Sequence, residues 1–92
     1  MLEKRQKVQL NKLLLPLGYV RNDLRDFSGS TEWRKGDLIV RRDYVFRSGS
    51  NNTLLSVWNK GKRLHFVRIL PSDKEFNIKV NEFEEFIRKL EE

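Results

Sequence analysis

Residues 54–70 read LLSVWNKGKRLHFVRIL, and this stretch decides the fold. A short apolar run ends in the turn-forming residues Asn-Lys-Gly-Lys at positions 59–62, after which large apolar side chains occupy both faces of an alternating pattern. Period-2 alternation is typical of a β-strand, and a turn of this length containing glycine joins antiparallel strands. We therefore predict a hairpin of strands 54–58 and 64–70. Apolar groups on both faces place the second strand in the centre of the sheet.

A second alternating stretch, beginning at Asp37, predicts the strand that precedes this hairpin. Its even-numbered positions carry apolar and aromatic side chains, except for Arg42. A buried arginine must be paired, so either Asp37, Asp43 or a glutamate of the second helix meets Arg42, or a β-bulge turns it outward, which is the outcome that we expect. Gly36 predicts a tight turn before this strand, and the polar residues 48–52 predict a loop after it.

The first part of the chain has the pattern of an amphipathic helix. Leucines spaced i, i+3, i+4 and i+7 occur between positions 10 and 17, while lysine and arginine side chains cluster on the opposite side. Pro16 cannot continue the hydrogen bonding of a helix, and Gly18 supplies a stop signal. We therefore expect the helix to end near Leu15.

The last part of the chain predicts a short strand and then a second helix. Residues 76–80 alternate apolar and polar side chains, as in a half-buried strand. Asn81 and, three residues later, Glu84 form a capping-box pattern, and an apolar stripe continues to Leu90. We therefore expect the second helix to begin at Asn81.

Together these elements predict one small α+β domain over residues 1–92. Short connections favour an antiparallel sheet of four to five strands between an N-terminal and a C-terminal helix. Packing both helices on one sheet face buries both apolar stripes and leaves the other face open to solvent or to a partner.

The composition excludes several classes of protein. With 38% hydrophobic and 35% charged residues and no cysteine, the chain lacks disulfides and thiolate metal sites. No apolar run approaches the roughly 18 residues of a membrane span, and the first residues lack the apolar segment of a signal peptide. We expect a cytoplasmic protein without a cofactor or a metal ion.

The positive charge is unevenly distributed along the chain. Residues 1–17 carry a net charge of +3, residues 18–50 carry +2, residues 51–70 carry +4 without a single acid, and residues 71–92 carry −3, which sums to +6. A basic domain of this kind favours an anionic partner, and nucleic acid is the first candidate.

The basic residues fall into three groups that are candidate nucleic-acid contacts. One group lies on the first helix, a second crowds the predicted hairpin turn, and in the third Trp33 with its two basic neighbours forms a stacking and clamping edge. The predicted binding residues are Lys4, Arg5, Lys7, Lys12, Trp33, Arg34, Lys35, Lys60, Lys62 and Arg63.

Catalysis is not expected from the titratable residues. His65 is the only histidine, and no serine or cysteine nucleophile is placed beside it by the sequence. A metal-dependent nuclease needs carboxylates that converge with a lysine, but Glu32 and Lys35 point to opposite faces of a strand. We therefore predict that the protein is not an enzyme.

The order of helix, three strands and helix resembles double-stranded-RNA-binding domains and HicA-type RNase toxins. For the toxins, the resemblance rests on Leu14-Leu15-Pro16-Leu17-Gly18-Tyr19, Arg21, Gly29-Ser30 and Trp33. It implies RNA as a partner, but the position of the toxins' catalytic histidine holds Thr31 here. The last helix also begins with glutamates, where double-stranded-RNA-binding domains concentrate lysines.

The sequence thus predicts a non-catalytic domain that binds DNA or RNA, or that regulates a nucleic-acid-associated protein. The alternative is a protein-interaction module or inhibitor that docks through its open sheet face, with Tyr44 or Trp58 as anchors. A weaker alternative is a domain like the RNase toxins or the double-stranded-RNA-binding domains. An open sheet edge and a bare face would also allow a homodimer.

Overall fold

The computed structural model describes residues 10–24, 30–47, 50–70 and 74–92. Five antiparallel strands form one sheet in chain order, so that each strand pairs with the next. A short α1 precedes the sheet and a long α2 follows it, which confirms the predicted α+β class. The elements are α1 (Asn11–Leu14), β1 (Val20–Asp23), β2 (Thr31–Lys35), β3 (Leu38–Arg47), β4 (Ser50–Asn59), β5 (Lys62–Ile69) and α2 (Phe76–Leu90).

Two tight turns lie side by side at one end of the sheet. Gly36 has φ +59° in the β2–β3 turn, and Lys60 and Gly61 have φ +51° and +79° in the β4–β5 turn. Positive φ at both central residues is the geometry that matches the twist of a two-residue hairpin, as the glycine predicted. The backbone N–H of Lys60 donates to the carbonyl oxygen of Asp37 at 3.3 Å, so the two turns touch.

The core lies between α2 and one face of the sheet. Trp33, Val40 and Val57 are cross-strand neighbours in β2, β3 and β4, and all three are fully buried. Phe83 and Ile87 of α2 are buried in the same cluster. On β5, the imidazole of His65 stacks on the ring of Phe86 with 4.6 Å between centroids.

Within the described residues, the first helix is the short segment Asn11–Leu14. Asn11–Leu14 form one turn, and Gly18 has φ +97° after it, so the expected stop is observed. The side chain of Asn11 accepts a hydrogen bond from Nε1 of Trp33 at 2.9 Å, which ties α1 to β2. The residues before position 10 lie outside the described part. The predicted pair of packed helices is therefore confirmed only for its C-terminal member.

Two predicted elements were wrong. Residues 76–80 belong to α2, because Phe76, Val80, Phe83 and Ile87 form one helical stripe against the core. Asn81 is consequently inside the helix and does not cap it. The predicted loop over 48–52 was wrong from position 50 onward. There the polar residues belong to β4, which pairs along its whole length with the ten-residue β3.

β5 is an edge strand, so its predicted central position was wrong. One of its faces contacts α2, while the other exposes large side chains such as Phe66. Apolar residues on both faces therefore reflect a helix on one side and an open surface on the other. A β-bulge interrupts this strand, because Val57 pairs with His65 whereas the next residue, Trp58, pairs with Arg63.

Arg42 does not lie at a bulge, contrary to the prediction. β3 pairs without interruption on both sides, and the guanidinium carbon of Arg42 lies 4.8 Å from the ring centroid of Tyr44 and 5.5 Å from that of Trp33. Its Nη2 donates to Oγ1 of Thr31 at 3.2 Å. Aromatic rings and a hydroxyl group thus stabilise a charge that we expected to be turned outward.

No helix among the described residues is long and apolar enough to cross a membrane.

Candidate nucleic-acid interface

The sheet has a second face, which points away from α2 and which we call the open face. Strand alternation and register place side chains from all five strands on it in cross-strand rows. No helix within the described ranges packs against this face. The first row is Val20, Arg34, Ile39, Trp58 and Arg63, the second is Asn22, Glu32, Arg41, Ser56 and Phe66, and Asp43, Leu54 and Arg68 follow.

The charges on β2 and β3 neutralise one another, and we call Glu32, Arg34, Arg41 and Asp43 the paired half of the open face. Glu32 is only 7% exposed. Its carboxylate lies 3.1 Å from Nη2 of Arg34 and 3.5 Å from Nη1 of Arg41. Nε of Arg41 donates to both carboxylate oxygens of Asp43, at 2.9 and 3.0 Å. Two arginines thus meet two carboxylates, which leaves this half without surplus charge.

The charges on β4 and β5 are all positive, and we call Lys60, Lys62, Arg63 and Arg68 the basic hairpin. Lys60 lies in the turn, Lys62 follows it in the row of Lys35 on the helix side, and the two arginines lie on the open face. None of the four forms an ion pair with a carboxylate of the described residues. The absence of acids from residues 51–70 favours this arrangement.

Two aromatic side chains lie among these cations. Trp58 is partly exposed, and its Nε1 donates to Oγ of Ser56 at 2.9 Å. Phe66 is 44% exposed and pairs across the strands with Ser56, which makes it a diagonal neighbour of Trp58. The guanidinium carbon of Arg63 lies 4.7 Å from the centroid of the Phe66 ring.

The predicted clamp of Trp33, Arg34 and Lys35 does not form. Trp33 is fully buried, so its ring is not available for stacking. Strand alternation turns Lys35 to the helix side, where its Nζ lies 2.6 Å from the carboxylate of Glu91. Arg34 alone points to the open face, and it is paired with Glu32.

Of the other predicted contacts, Lys60, Lys62 and Arg63 lie together at the β4–β5 hairpin, and Phe66 and Arg68 lie on the same hairpin. Lys12 is exposed on α1, whereas Lys4, Arg5 and Lys7 lie outside the described residues. The prediction missed Arg68 and Phe66. Their signal was the shared parity of positions 66 and 68 in an alternating strand, which places both on one face.

The C-terminal end of α2 is fastened to the start of the sheet. The carboxylate of Glu91 accepts hydrogen bonds from the hydroxyl of Tyr19 at 2.9 Å and from Nζ of Lys35 at 2.6 Å. The bond from Lys35 holds the pKa of Glu91 below its ordinary value. Burial, followed by the bond to Glu91, raises the pKa of Tyr19. The charge of Lys35 is thereby neutralised by a carboxylate at the C-terminal end of α2.

The candidate catalytic residues remain apart. His65 lies between β5 and α2, where its ring contacts Phe83 and Phe86. Glu32 and Lys35 lie on opposite faces of β2, as the alternation predicted. Within the part of the chain that the structure describes, no three histidine, cysteine or acidic side chains gather into a group that could hold a metal ion.

The chain matches no protein-family model, no curated protein and no solved structure. The five-stranded meander also differs from the helix, three strands and helix that suggested the RNA-binding and toxin families. Function therefore has to be inferred from the chemistry of the open face.

Proposed function

We propose that this protein binds nucleic acid, without catalysis, through the basic hairpin. The observation that carries the proposal is the contrast in charge between the paired half of the open face and the basic hairpin. Arg34 and Arg41 are held by neighbouring carboxylates, whereas Lys60, Lys62, Arg63 and Arg68 contact none among the described residues. Cations that the fold does not neutralise are available to phosphate groups.

The energetics of such a surface are those of counterion release. Each phosphate neutralised by a lysine or arginine releases condensed cations, which favours binding more strongly at low salt. Four contacts to a single strand predict a slope of log K against log salt of about −3, from roughly −0.7 per phosphate. A steep dependence on salt is therefore the first signature of the proposed function.

The competing function is a protein-interaction module that uses the apolar side chains of the open face. Val20 is 69% exposed at one edge of this face, and Ile39 and Leu54 are partly exposed in the interior. An interface centred on these residues would be anchored by apolar burial and would respond weakly to charge changes at the β4–β5 turn.

The test is the binding of labelled single-stranded and duplex oligonucleotides at about 50 mM salt, measured by fluorescence anisotropy with micromolar protein. We expect the double variant Lys60→Glu/Lys62→Glu to abolish binding. The matched control is Lys74→Glu/Lys89→Glu, which makes the same change in net charge at exposed positions near the two ends of α2.

The control variant is expected to retain most of the affinity. Equal losses in the two double variants would show a response to net charge alone and would refute a site at the hairpin. Wild-type protein that leaves the anisotropy of every oligonucleotide unchanged would refute nucleic-acid binding altogether.

A further inference from the structure

The position of Trp58 and Phe66 among the cations carries the proposed function one step further. We propose that the ligand is single-stranded nucleic acid, with bases stacked on Trp58 and Phe66 and phosphates held by the basic hairpin. This inference rests on the proposed function, since it adds base contacts to a phosphate-binding surface.

The two rings are flanked by positive charge. Arg63 is the cross-strand neighbour of Trp58, and Arg68 lies two residues beyond Phe66 on the same face of β5. Stacking rings beside a cationic track are the combination by which proteins hold single strands, because each base has an aromatic face and each nucleotide has a phosphate. The chemistry of the surface and that of the ligand are complementary in both respects.

The indole of Trp58 is prepared for stacking by its hydrogen bond. Its only polar atom, Nε1, is satisfied within β4 by Oγ of Ser56 at 2.9 Å. This bond directs the ring along the strand toward the residue opposite Phe66. A base can therefore contact the exposed part of the indole without leaving the N–H unpaired.

The guanidinium group of Arg63 lies against the ring of Phe66. Its guanidinium carbon lies 4.7 Å from the ring centroid, which is the distance of a cation–π contact. A guanidinium plane also stacks on bases and pairs with phosphates. Arg63 can thus exchange one aromatic contact for another as a base arrives, with its charge kept close to the phosphate.

The shape of the surface favours a single strand over a duplex. Bases in a duplex expose only their edges, at the floor of grooves, and the major groove of about 12 Å admits a helix or a two-stranded ribbon. Five strands spaced by about 4.8 Å span roughly 19 Å, which is broader than that groove. The β4–β5 turn does not project as a free ribbon, because Lys60 is bonded to Asp37 of the neighbouring turn.

The experiment compares four probes of about 12 nucleotides, a length within the site sizes of known single-strand binders. They are oligothymidylate, oligouridylate, an abasic oligomer with the same phosphates, and a stable hairpin duplex. We expect either base-bearing single strand to bind tighter than the abasic oligomer by roughly 5- to 150-fold for each stacked base. The first two probes decide between DNA and RNA.

Variants locate the effect. Trp58→Leu and Phe66→Leu should each lower this preference for bases by the share of one stacked base, roughly 5- to 150-fold, and Trp58→Phe should keep it because an aromatic face remains. Urea denaturation of each variant confirms that it is folded. Equal affinity for the abasic and base-bearing strands, or tighter binding of the duplex, would overturn stacking and leave the proposed function standing. Binding to none of the four probes would overturn both.

Discussion

The paired half of the open face and the basic hairpin are built from the same kind of antiparallel strand, but only the paired half has its positive charges neutralised by carboxylates. In the paired half, arginines of β2 and β3 lie beside carboxylates of the same strands, and Glu32 is almost completely covered. In the basic hairpin, the strands contain no acid, Arg63 lies beside the ring of Phe66, and Nε of Arg68 donates to Oδ1 of Asn52 at 3.1 Å. The neighbours of an arginine across and along the strands therefore determine whether its charge is neutralised on a sheet surface.

This difference separates stability from binding. A covered carboxylate needs its cations, because an uncompensated charge with little access to water is costly. An exposed lysine at a turn contributes little to folding and keeps its capacity for a phosphate. Variants in the paired half should therefore change the free energy of unfolding, and variants in the basic hairpin should change affinity.

The largest effect on stability is expected for Arg41→Ala. This change removes the three-centre hydrogen bond from Nε to both carboxylate oxygens of Asp43 and one of the two cations beside Glu32. We expect a loss of about 1.5–3 kcal/mol in the free energy of unfolding, the range for hydrogen bonds to charged groups. Urea denaturation measures it. Affinity for nucleic acid should hardly change, and a large loss of affinity would show that the paired half also contacts the ligand.

The next effect concerns the two turns, which offer a matched pair of glycines. Gly36 and Gly61 have positive φ, and an added Cβ at either would meet no atom within 4 Å. Alanine at each position should therefore cost about 1–2 kcal/mol through backbone strain alone. Gly61→Ala should also weaken binding, because it strains the turn between Lys60 and Lys62, whereas Gly36→Ala should not. Equal affinities for the two variants would contradict a site at the basic hairpin.

A smaller effect on stability is expected for Arg63→Ala, the counterpart of Arg41→Ala on the other half. Its contact with Phe66 is exposed, so we expect a loss of only about 0.5–1 kcal/mol in the free energy of unfolding. The salt dependence of binding should become shallower by about 0.7, corresponding to one phosphate. A destabilisation as large as that of Arg41→Ala would remove the distinction between the halves.

Much of this fold was predictable from short-range patterns. The Asn-Lys-Gly-Lys turn and Gly36 specified two hairpins, because positive φ is a local property of the residues that adopt it. The stop after α1 followed from Pro16 and Gly18 in the same way. Antiparallel pairing then followed from the short connections, and with it the existence of an open face.

The errors arose where long-range packing decides between local alternatives. The residues from Phe76 to Val80 fit both a strand and a helix, and the helix forms because Phe76 and Val80 then join Phe83 against the sheet. Apolar groups on both faces of β5 fit a central strand, and they also fit an edge strand with a helix on one face. Periodicity does not distinguish these two cases.

The candidate site was predicted in part for the same reason. The absence of acids in residues 51–70 is visible in the sequence and identified Lys60, Lys62 and Arg63. That Trp33 is buried while Trp58 is partly exposed depends on which sheet face α2 covers. The neutralisation of Lys35 by Glu91 joins residues that lie 56 positions apart in the chain, which a local pattern does not contain.

The smallest effect is expected for the Lys35–Glu91 pair. In this pair a positive charge of β2 is neutralised on the helix side of the sheet. The pKa of Glu91 is held below its ordinary value of 4.5, first by the hydrogen bond from Lys35. A lowered pKa means that the ionised carboxylate stabilises the folded state above pH 4.5, and this stabilisation is lost as the pH falls through the folded-state pKa.

We therefore expect Glu91→Gln to lower the free energy of unfolding at neutral pH by about 0.2–1 kcal/mol, as for a partly exposed ion pair. The difference from wild type should shrink as the solution is acidified below pH 4.5, because wild-type Glu91 then becomes protonated. Glu92→Gln removes the adjacent, exposed carboxylate at the same helix end and controls for the helix dipole. If both variants follow the same pH profile, the Lys35–Glu91 contact contributes nothing specific, and charge neutralisation is confined to the open face of β2.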